Sequence, residues 1–187
     1  MQCRIGDKEY SFYKHFQDNK MLRHRLDLLS QKTFGGLTFE NWYHHGFWTD
    51  KCIPYALFDG DNTVANIFAC IFDLIIQGEK KRYIQLGTVM TEFEYRNNGL
   101  SRFLMEKVLE DWQNSCDTIF LLANDSVVNY YPKFGFIKES EYHYSMPISH
   151  KSRNVRKLDI NNNDDFKIIL DKCKQPNPFS FFQMIDI

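Results

Sequence analysis

The sequence predicts an α/β fold, in which helices flank a sheet built from several apolar strands. Three segments carry this prediction: a hairpin pattern over residues 52–76, an amphipathic helix that begins at Leu100, and an apolar run over residues 118–122. A length of 187 residues with 43% hydrophobic residues suits one globular domain and a small appendage. We therefore expect a core domain over residues 1–160 and an extension over residues 161–187.

The first 76 residues predict two helices and then two strands. Leucines at helical spacing indicate a first helix near residues 17–31, and a second short helix is expected after Thr38 as its N-cap. Residues 52–58 and 64–76 are predicted strands, joined by a turn rich in Gly, Asn and Asp, which tolerate the positive φ of tight hairpins. Because the second strand is apolar on both faces, we expect it to lie at the centre of the sheet.

A strand, a glycine-containing loop and a helix follow over residues 83–112. The loop reads Arg96-Asn97-Asn98-Gly99-Leu100-Ser101, and the apolar residues after it recur at a period near 3.6. The first turn of a helix has unpaired N–H groups and a partial positive charge, so it stabilises an anion. Glycine at position 99 lets the backbone come close to that anion. The segment is therefore a candidate cradle for phosphates.

A second motif follows the apolar run at residues 118–122, which we predict to be a buried parallel strand. The chain continues through Asn124 into Tyr131-Pro132-Lys133-Phe134-Gly135-Phe136. Residues 137–146 and 155–160 are then predicted to form two more strands.

In this order, R-x-x-G-x-S and Y-x-K-x-G-F resemble the motifs of the GNAT superfamily of acyl-CoA-dependent N-acetyltransferases. The similarity extends over residues 50–147, and Ser101 stands where the family pattern has Gly or Ala. It implies a mixed, mostly antiparallel sheet of six to seven strands flanked by helices. It also implies an enzyme that transfers an acetyl group from acetyl-CoA to a primary amine of a small molecule or a peptide.

The resemblance assigns the binding of acetyl-CoA to particular residues. One strand would hydrogen-bond the pantetheine amides through its backbone, beside a splay between this strand and the next. The phosphate loop and the first turn of the helix would hold the pyrophosphate, and Asn124 matches a position that contacts the CoA arm. The implied binding residues are Val89, Met90, Thr91, Arg96, Asn97, Asn98, Gly99, Leu100, Ser101, Arg102 and Asn124.

Tyr131 occupies the tyrosine position of the second motif, which in the family acts as general acid on the departing thiolate. The chemistry is sensible, because a phenol can protonate a thiolate or stabilise its charge with its O–H. Adjacent Tyr130 is the alternative donor, and packing in the core is the alternative role for Tyr131. Pro132 disfavours a continued helix at Tyr131 and could displace the phenol.

The general base is not identified by the sequence. Some relatives carry a glutamate on the strand before the phosphate loop, but the corresponding residue here is Gln85, whose amide cannot accept a proton in this way. Glu92, Glu94 and the pair His44-His45 are the other candidates, and each fits a solvated or structural role better.

The extension predicts a helix followed by an aromatic strand. Residues 161–164 can cap a helix that runs to Cys173, and residues 179–185 are a predicted strand. Both segments are too apolar to remain in water, so we expect them to pack against the acceptor side of the domain or against a second copy in a homodimer. A strand added to the edge of the chain's own sheet is an equal alternative.

Charge and cysteine content narrow the class of protein. A net charge of −1 gives no field that would attract nucleic acid or an acidic membrane, and no apolar stretch is long enough to span a bilayer. Five scattered cysteines without a C-x-x-C pair argue against a disulfide framework and against a zinc site, so no metal is expected. These features predict a cytoplasmic protein in a reducing compartment.

A non-catalytic module that binds acyl-CoA or serves a regulatory role is the main alternative to an enzyme. The absent glutamate favours this alternative slightly, whereas Tyr131 disfavours it. Release of thiol from acetyl-CoA in the presence of amines distinguishes the two.

Overall fold

A computed structural model describes residues 1–142, 145, 147, 155–173 and 182–184. Within them the chain forms a seven-stranded sheet in the order β1-β2-β3-β4-β5-β6, with β7 paired to β4. Only β5 and β6 are parallel, and the other pairs are antiparallel. The predicted mixed, mostly antiparallel sheet is therefore confirmed. The strands are β1 (Gln2–Ile5), β2 (Lys8–Lys14), β3 (Cys52–Asp59), β4 (Asn62–Ile76), β5 (Glu79–Thr91), β6 (Thr118–Leu121) and β7 (Phe182–Met184).

Helices cover both faces of this sheet. One face carries α3 in a core that includes Leu104 and Ile67, and the other carries α1 and α2 in a second core that includes Leu26 and Phe68. Amphipathic periodicity explains this arrangement, since each long helix turns its apolar residues towards the sheet. The helices are α1 (Lys20–Phe34), α2 (Glu40–His44), α3 (Leu100–Trp112) and α4 (Asn163–Cys173), and the two 3-10 segments are Phe93–Tyr95 and Asp125–Phe134.

The N-terminal hairpin of β1 and β2 is an element that the sequence analysis missed. Tyr10 and Phe12 alternate with exposed residues along β2, and Gly6 takes a positive φ of 59° in the turn. This alternation is the signal of a half-buried strand, but the strands are short and the pattern spans few residues. The hairpin matters for the site because Ile5 lies beside Gly99 of the phosphate loop.

Three predicted strands need correction. Residues 118–121 form the parallel strand β6, but it is only partly buried, because β6 is the last strand of the path and Leu122 after it is 79% exposed. The described part of residues 137–146 is not a strand, and neither are residues 155–160. In residues 155–160, the backbone N–H of Asp159 donates a hydrogen bond to the Asp165 carboxylate of α4 at 2.9 Å. This N–H group is therefore not available to pair with a neighbouring strand.

The cysteines also depart from expectation. Cys52 and Cys70 are direct partners on β3 and β4, with Cα atoms 4.1 Å apart, and they form a disulfide. Cys3, Cys116 and Cys173 are free. The sequence analysis argued against a disulfide framework, and this single bond joins two cysteines that lie 18 positions apart in the sequence and meet through strand pairing.

Reduction of the Cys52–Cys70 disulfide is expected to lower the free energy of unfolding by about 3 kcal/mol, since the bond closes a loop in the unfolded chain. Urea unfolding with and without a strong reductant measures the difference. The Cys52→Ser/Cys70→Ser double variant should not respond to the reductant. Alkylation of all five cysteines in denatured, unreduced protein would contradict the assignment.

The C-terminal extension folds back on its own chain. Asn162 caps α4 by accepting the N–H groups of Asp164 and Asp165, and the Phe166 ring lies about 6 Å from the rings of His45 and Phe47. Strand β7 pairs with residues 74–76 of β4. The extension therefore adds to the edge of the chain's own sheet, as one of the two alternatives predicted.

Loss of the Asp165 carboxylate is expected to loosen α4 in a pH-dependent way. Arg156 and the Asp159 N–H bond this carboxylate and lower its pKa from 3.8 to about 2. A depressed carboxyl pKa gives stability that is present above pH 4 and is lost as the pH falls towards 2. The melting temperature of Asp165→Asn should thus differ from that of wild type at neutral pH, and the difference should disappear as the pH falls to about 2. The exposed control Asp164→Asn should show no pH-dependent difference of this kind. A constant difference would contradict the account.

No helix in the described ranges is both long enough and apolar enough to cross a membrane.

Candidate active site

The parallel pair β5 and β6 separates halfway along β5. Pairing runs from Tyr83 opposite Thr118 to Leu86 opposite Leu121, whereas β5 continues to Thr91. Beyond Leu86, β4 is the only described strand that pairs with β5. The last residues of β5 therefore turn one backbone edge towards an opening in the sheet, which is the splay that the sequence analysis expected.

A β-bulge lies where this opening begins. The pairing shifts between Asn66 and Phe68 of β4, and Thr88 on β5 takes a φ of +42°. The buried Asn66 side chain donates to the carbonyl and hydroxyl oxygens of Thr88, both at 3.4 Å. A bulge bends its strand and increases the local twist, and this one lies just beyond Leu86, where the pairing of β5 with β6 ends.

Val89, Met90 and Thr91 were predicted to bind the pantetheine arm, and their backbone groups are better suited to this than their side chains. The Met90 side chain is 3% exposed and packs in the core on the α1 and α2 face, whereas Val89 packs against the core on the α3 face. Thr91 ends the strand, and its carbonyl accepts from Arg96 Nε at 3.3 Å. This geometry is suited to an extended ligand that adds to the strand edge.

The phosphate loop presents an uncapped helix N-terminus. Gly99 is the N-cap of α3 with a φ of +80°, and no side chain bonds the first N–H groups of the helix. Asn97 also has a positive φ of 63°, while Asn98 is exposed beside it. The Leu100 side chain is 1% exposed and fixes the helix start in the core. The free N–H groups and the helix dipole together favour an anion at this position.

Two hydroxyl groups join β5 to α3 next to the loop. Thr91 Oγ1 and Ser101 Oγ are 3.2 Å apart. Ser101 is partly buried, whereas Arg102 is exposed and forms a weak ion pair with Glu106 at 3.7 Å. Serine at position 101 therefore has a structural partner in Thr91, which an alanine or a glycine would lack.

Tyr131 lies in the 3-10 helix after β6 and is 7% exposed. Its ring packs edge-on against Tyr130 and Phe136, and its hydroxyl forms no hydrogen bond with any described residue. Burial, and secondarily Tyr130, raises the pKa of Tyr131 above its usual value. The phenol is therefore protonated at neutral pH. Pro132 lies within the same 3-10 helix, which continues past Tyr131 to Phe134.

Glu92, His44 and His45 have other partners, and Glu94 is exposed. Glu92 bonds Lys32 at 2.8 Å, and this bond lowers the pKa of Glu92. His45 Nδ1 lies 2.6 Å from the Asn41 carbonyl, and His44 faces Glu40 at 3.4 Å. None of these groups is held as a poised base.

Gln85 lies on β5 between Cys70 of β4 and Phe120 of β6. It is therefore next to the disulfide and close to the start of the splay.

Asn124 is exposed at the start of the 3-10 helix, and its side chain makes no capping bond. In the part of the chain that the structure describes, no group of three or more His, Cys, Asp or Glu residues could hold a metal ion.

Two buried polar groups lie near the opening, and the sequence analysis considered only one of them, Tyr130, as an alternative donor. Asn66 Oδ1 and the Tyr130 hydroxyl are enclosed, and neither has a hydrogen-bond partner. The sequence contains a signal for Asn66, because it is a polar residue inside the apolar run of β4. The position of Tyr130 relative to α3 depends on tertiary packing and left no signal.

Comparison with known families and structures agrees with this geometry. The profile of the acetyltransferase (GNAT) domain matches residues 10–138. No curated protein sequence matches the chain.

Several solved structures are similar in fold. Glucosamine-6-phosphate N-acetyltransferase from Arabidopsis thaliana has a TM-score of 0.58 at 14% identity, over 74% of this chain and 99% of that one. A predicted acetyltransferase with acetyl-CoA from Clostridium acetobutylicum has a TM-score of 0.56 at 14% identity, over 73% and 96%. An aminoglycoside acetyltransferase in complex with sisomicin, from an uncultured soil metagenomic sample, has a TM-score of 0.57 at 10% identity, over 75% and 97%. At these identities the likeness concerns the fold alone.

Proposed function

The chain belongs to the family of GNAT acetyltransferase domains, and from that premise we propose that it transfers the acetyl group of acetyl-CoA to a primary amine. The observation that carries this proposal is the unpaired end of β5 beside the uncapped N-terminus of α3. An extended amide chain and a pyrophosphate need these two features at neighbouring positions.

Acetyl-CoA fits the opening as follows. The backbone of Val89, Met90 and Thr91 bonds the pantetheine amides, as a partner strand would. The N–H groups of residues 97–102 donate hydrogen bonds to the pyrophosphate oxygens, and Arg96 and Arg102 add positive charge at the rim. Asn124 faces the arm from the end of β6.

The reaction forms one C–N bond and breaks one C–S bond. The neutral amine attacks the acetyl carbonyl carbon, and the electron pair of the C–S bond goes to sulfur. Tyr131 donates its phenolic hydrogen to that sulfur. A free thiol has a pKa near 8.5, and burial raises the phenol pKa further above this value, so a hydrogen bond to the thiolate is favoured over complete proton transfer.

The proton on the amine leaves through water. Gln85 cannot accept it, and the Lys32 ammonium group makes the Glu92 carboxylate a weaker base. Activity is then expected to rise with pH until the substrate amine is neutral, because only that form attacks.

The acceptor is a small-molecule amine that approaches from the face of α1 and α2. Fold neighbours include enzymes whose names specify aminoglycosides and glucosamine-6-phosphate, so amines on sugar-sized molecules are the first acceptors to test. The aromatic contact of Phe166 with His45 and Phe47 closes this side, so α4 acts as a wall of the acceptor cleft within one chain. This arrangement needs no second copy.

Thiol release from acetyl-CoA across a panel of amino sugars, aminoglycosides, polyamines and lysine peptides tests the proposal. We expect at least one amine to accelerate release well above the rate without amine. Tight acetyl-CoA binding without acceleration by any amine would favour the non-catalytic acyl-CoA-binding alternative. Absence of binding would contradict both.

A further inference from the structure

We infer that Asn66 positions the acetyl-CoA-binding end of β5 by holding Thr88 in a left-handed conformation, an inference that rests on the proposed function. Thr88 takes a φ of +42°, and it lies where the pairing of β4 with β5 shifts. At this bulge two β5 residues, Thr88 and Val89, oppose Ile67 of β4. The left-handed position of a bulge normally takes glycine, and a β-branched residue is an outlier there. The surrounding structure must therefore hold Thr88 in place.

The Asn66 side chain is the group that contacts Thr88. Its amide nitrogen lies 3.4 Å from both the carbonyl and the hydroxyl oxygen of Thr88, so it can donate to each of them. The residues paired with Asn66 on the neighbouring strands, Ala56 and Met90, belong to the core on the α1 and α2 face, and Asn66 itself has no exposed surface. An amide enclosed among apolar side chains loses its hydrogen bonds if Thr88 moves, and this loss opposes any other conformation.

The same amide is unfavourable for stability. Asn66 Oδ1 is enclosed and has no hydrogen-bond partner among the described residues. A buried carbonyl oxygen without a partner destabilises a fold, whereas an apolar residue of the same shape is neutral or stabilising. The positive φ of Thr88 adds a second unfavourable feature in contact with the first. Their combination indicates a role in the site and not in folding.

The contact with Thr88 fixes the direction of the next backbone donor. A trans peptide places its C=O and N–H groups on opposite sides. Because the Thr88 carbonyl points to Asn66 on β4, the N–H of Val89 points to the other edge of β5, which faces the opening. The Glu92 N–H bonds the Val64 carbonyl of β4 at 2.9 Å, so the alternation along the strand gives Val89 the same direction. Val89 is the first residue of the proposed pantetheine-binding edge, and Asn66 therefore sets where its donor lies.

Loss of the Asn66 amide lets Thr88 relax to a negative φ, which rotates the peptide between Thr88 and Val89. The left-handed conformation of a residue with a Cβ is then a minor state, and acetyl-CoA must select it. Glycine differs, since it adopts a positive φ about as readily as a negative one. The amide at position 66 therefore matters only while position 88 carries a side chain.

The variant Asn66→Leu keeps the branched shape of the side chain and removes the amide. Calorimetry is expected to show acetyl-CoA binding weakened about 5- to 30-fold, which is the population lost when a left-handed residue is no longer held. The double variant Asn66→Leu/Thr88→Gly should bind within about twofold of wild type, because glycine populates both conformations. S-acetylpantetheine should show the same loss and the same rescue. Adenosine 3′-phosphate 5′-diphosphate lacks the pantetheine arm, so its affinity should be equal in all three proteins.

Melting temperature and kcat separate positioning from a structural role. Asn66→Leu should melt at or above the wild-type temperature, since it removes an unpaired oxygen, and its kcat at saturating acetyl-CoA should change less than about twofold. Thr63→Val removes another enclosed, unpaired group from β4 and is the matched control, with unchanged acetyl-CoA affinity expected. A lower melting temperature, unchanged affinity in Asn66→Leu, or no rescue by Thr88→Gly would overturn the inference while wild-type turnover leaves the proposed function intact. If wild type binds no acetyl-CoA, both fail.

Discussion

Replacing Tyr131 with phenylalanine is expected to lower kcat about 10²- to 10³-fold, which is the usual cost of removing one hydrogen-bond donor that stabilises a developing negative charge. The ring fills the same space against Phe136 and Tyr130, so the loss reflects the hydroxyl alone. Affinity for acetyl-CoA should change little, because the proposed binding groups lie on β5 and α3. Steady-state turnover with the best amine of the panel, under conditions where chemistry limits the rate, measures the effect.

The pH dependence of the wild type adds a second check on Tyr131. Its phenol must be protonated to donate, and its raised pKa keeps it so well above neutrality. We therefore expect no alkaline fall in kcat below about pH 10, the usual phenol pKa. A fall that begins near neutrality, or full turnover in Tyr131→Phe, would assign proton donation to another group or to water.

The variant Gly99→Val is expected to abolish measurable acetyl-CoA binding. A Cβ at this position would make an ordinary van der Waals contact with Ile5 Cγ2 at 3.6 Å, but the φ of +80° is one that a β-branched residue rarely adopts. The branched side chain and the shifted backbone both move the first N–H groups of α3 away from the phosphates. Calorimetry with acetyl-CoA measures the loss.

The variant Gly60→Val is the control for the effect of backbone strain alone. Gly60 has a φ of +56° in the turn between β3 and β4, and a Cβ at this position would meet no described atom within 4 Å. Both variants should lose about 1–2 kcal/mol of stability from the left-handed conformation. Only the variant at position 99 should lose binding. Equal affinity in the two variants would show that the loop does not hold the phosphates.

Local signals account for the parts of the fold that the sequence predicted. The run that forms β4 is apolar on both faces, and α3 repeats its apolar residues over 13 positions, so each element is specified by its own residues. Gly35 ends α1 in a left-handed conformation, as expected for a glycine after a helix. The splay between β5 and β6 could be predicted only from the family resemblance, because the separation of two strands leaves no local pattern in the sequence.

Contacts distant in sequence account for what was missed. The Cys52–Cys70 bond depends on the register of β3 against β4, which no spacing rule gives. The segment before α4 had strand composition, but its ion pair between Arg156 and Asp165 decided its conformation. The enclosed Tyr130 hydroxyl likewise exists only because the 3-10 helix packs on the start of α3.

A crystal structure of the protein with acetyl-CoA tests the central claim most directly. The account predicts the pantetheine arm alongside residues 89–91 in the opening between β5 and β6. It also predicts pyrophosphate oxygens within hydrogen-bond distance of the backbone N–H groups of residues 97–102, and the sulfur next to the Tyr131 hydroxyl. Acetyl-CoA bound outside this opening, with the first turn of α3 facing only solvent, would contradict it.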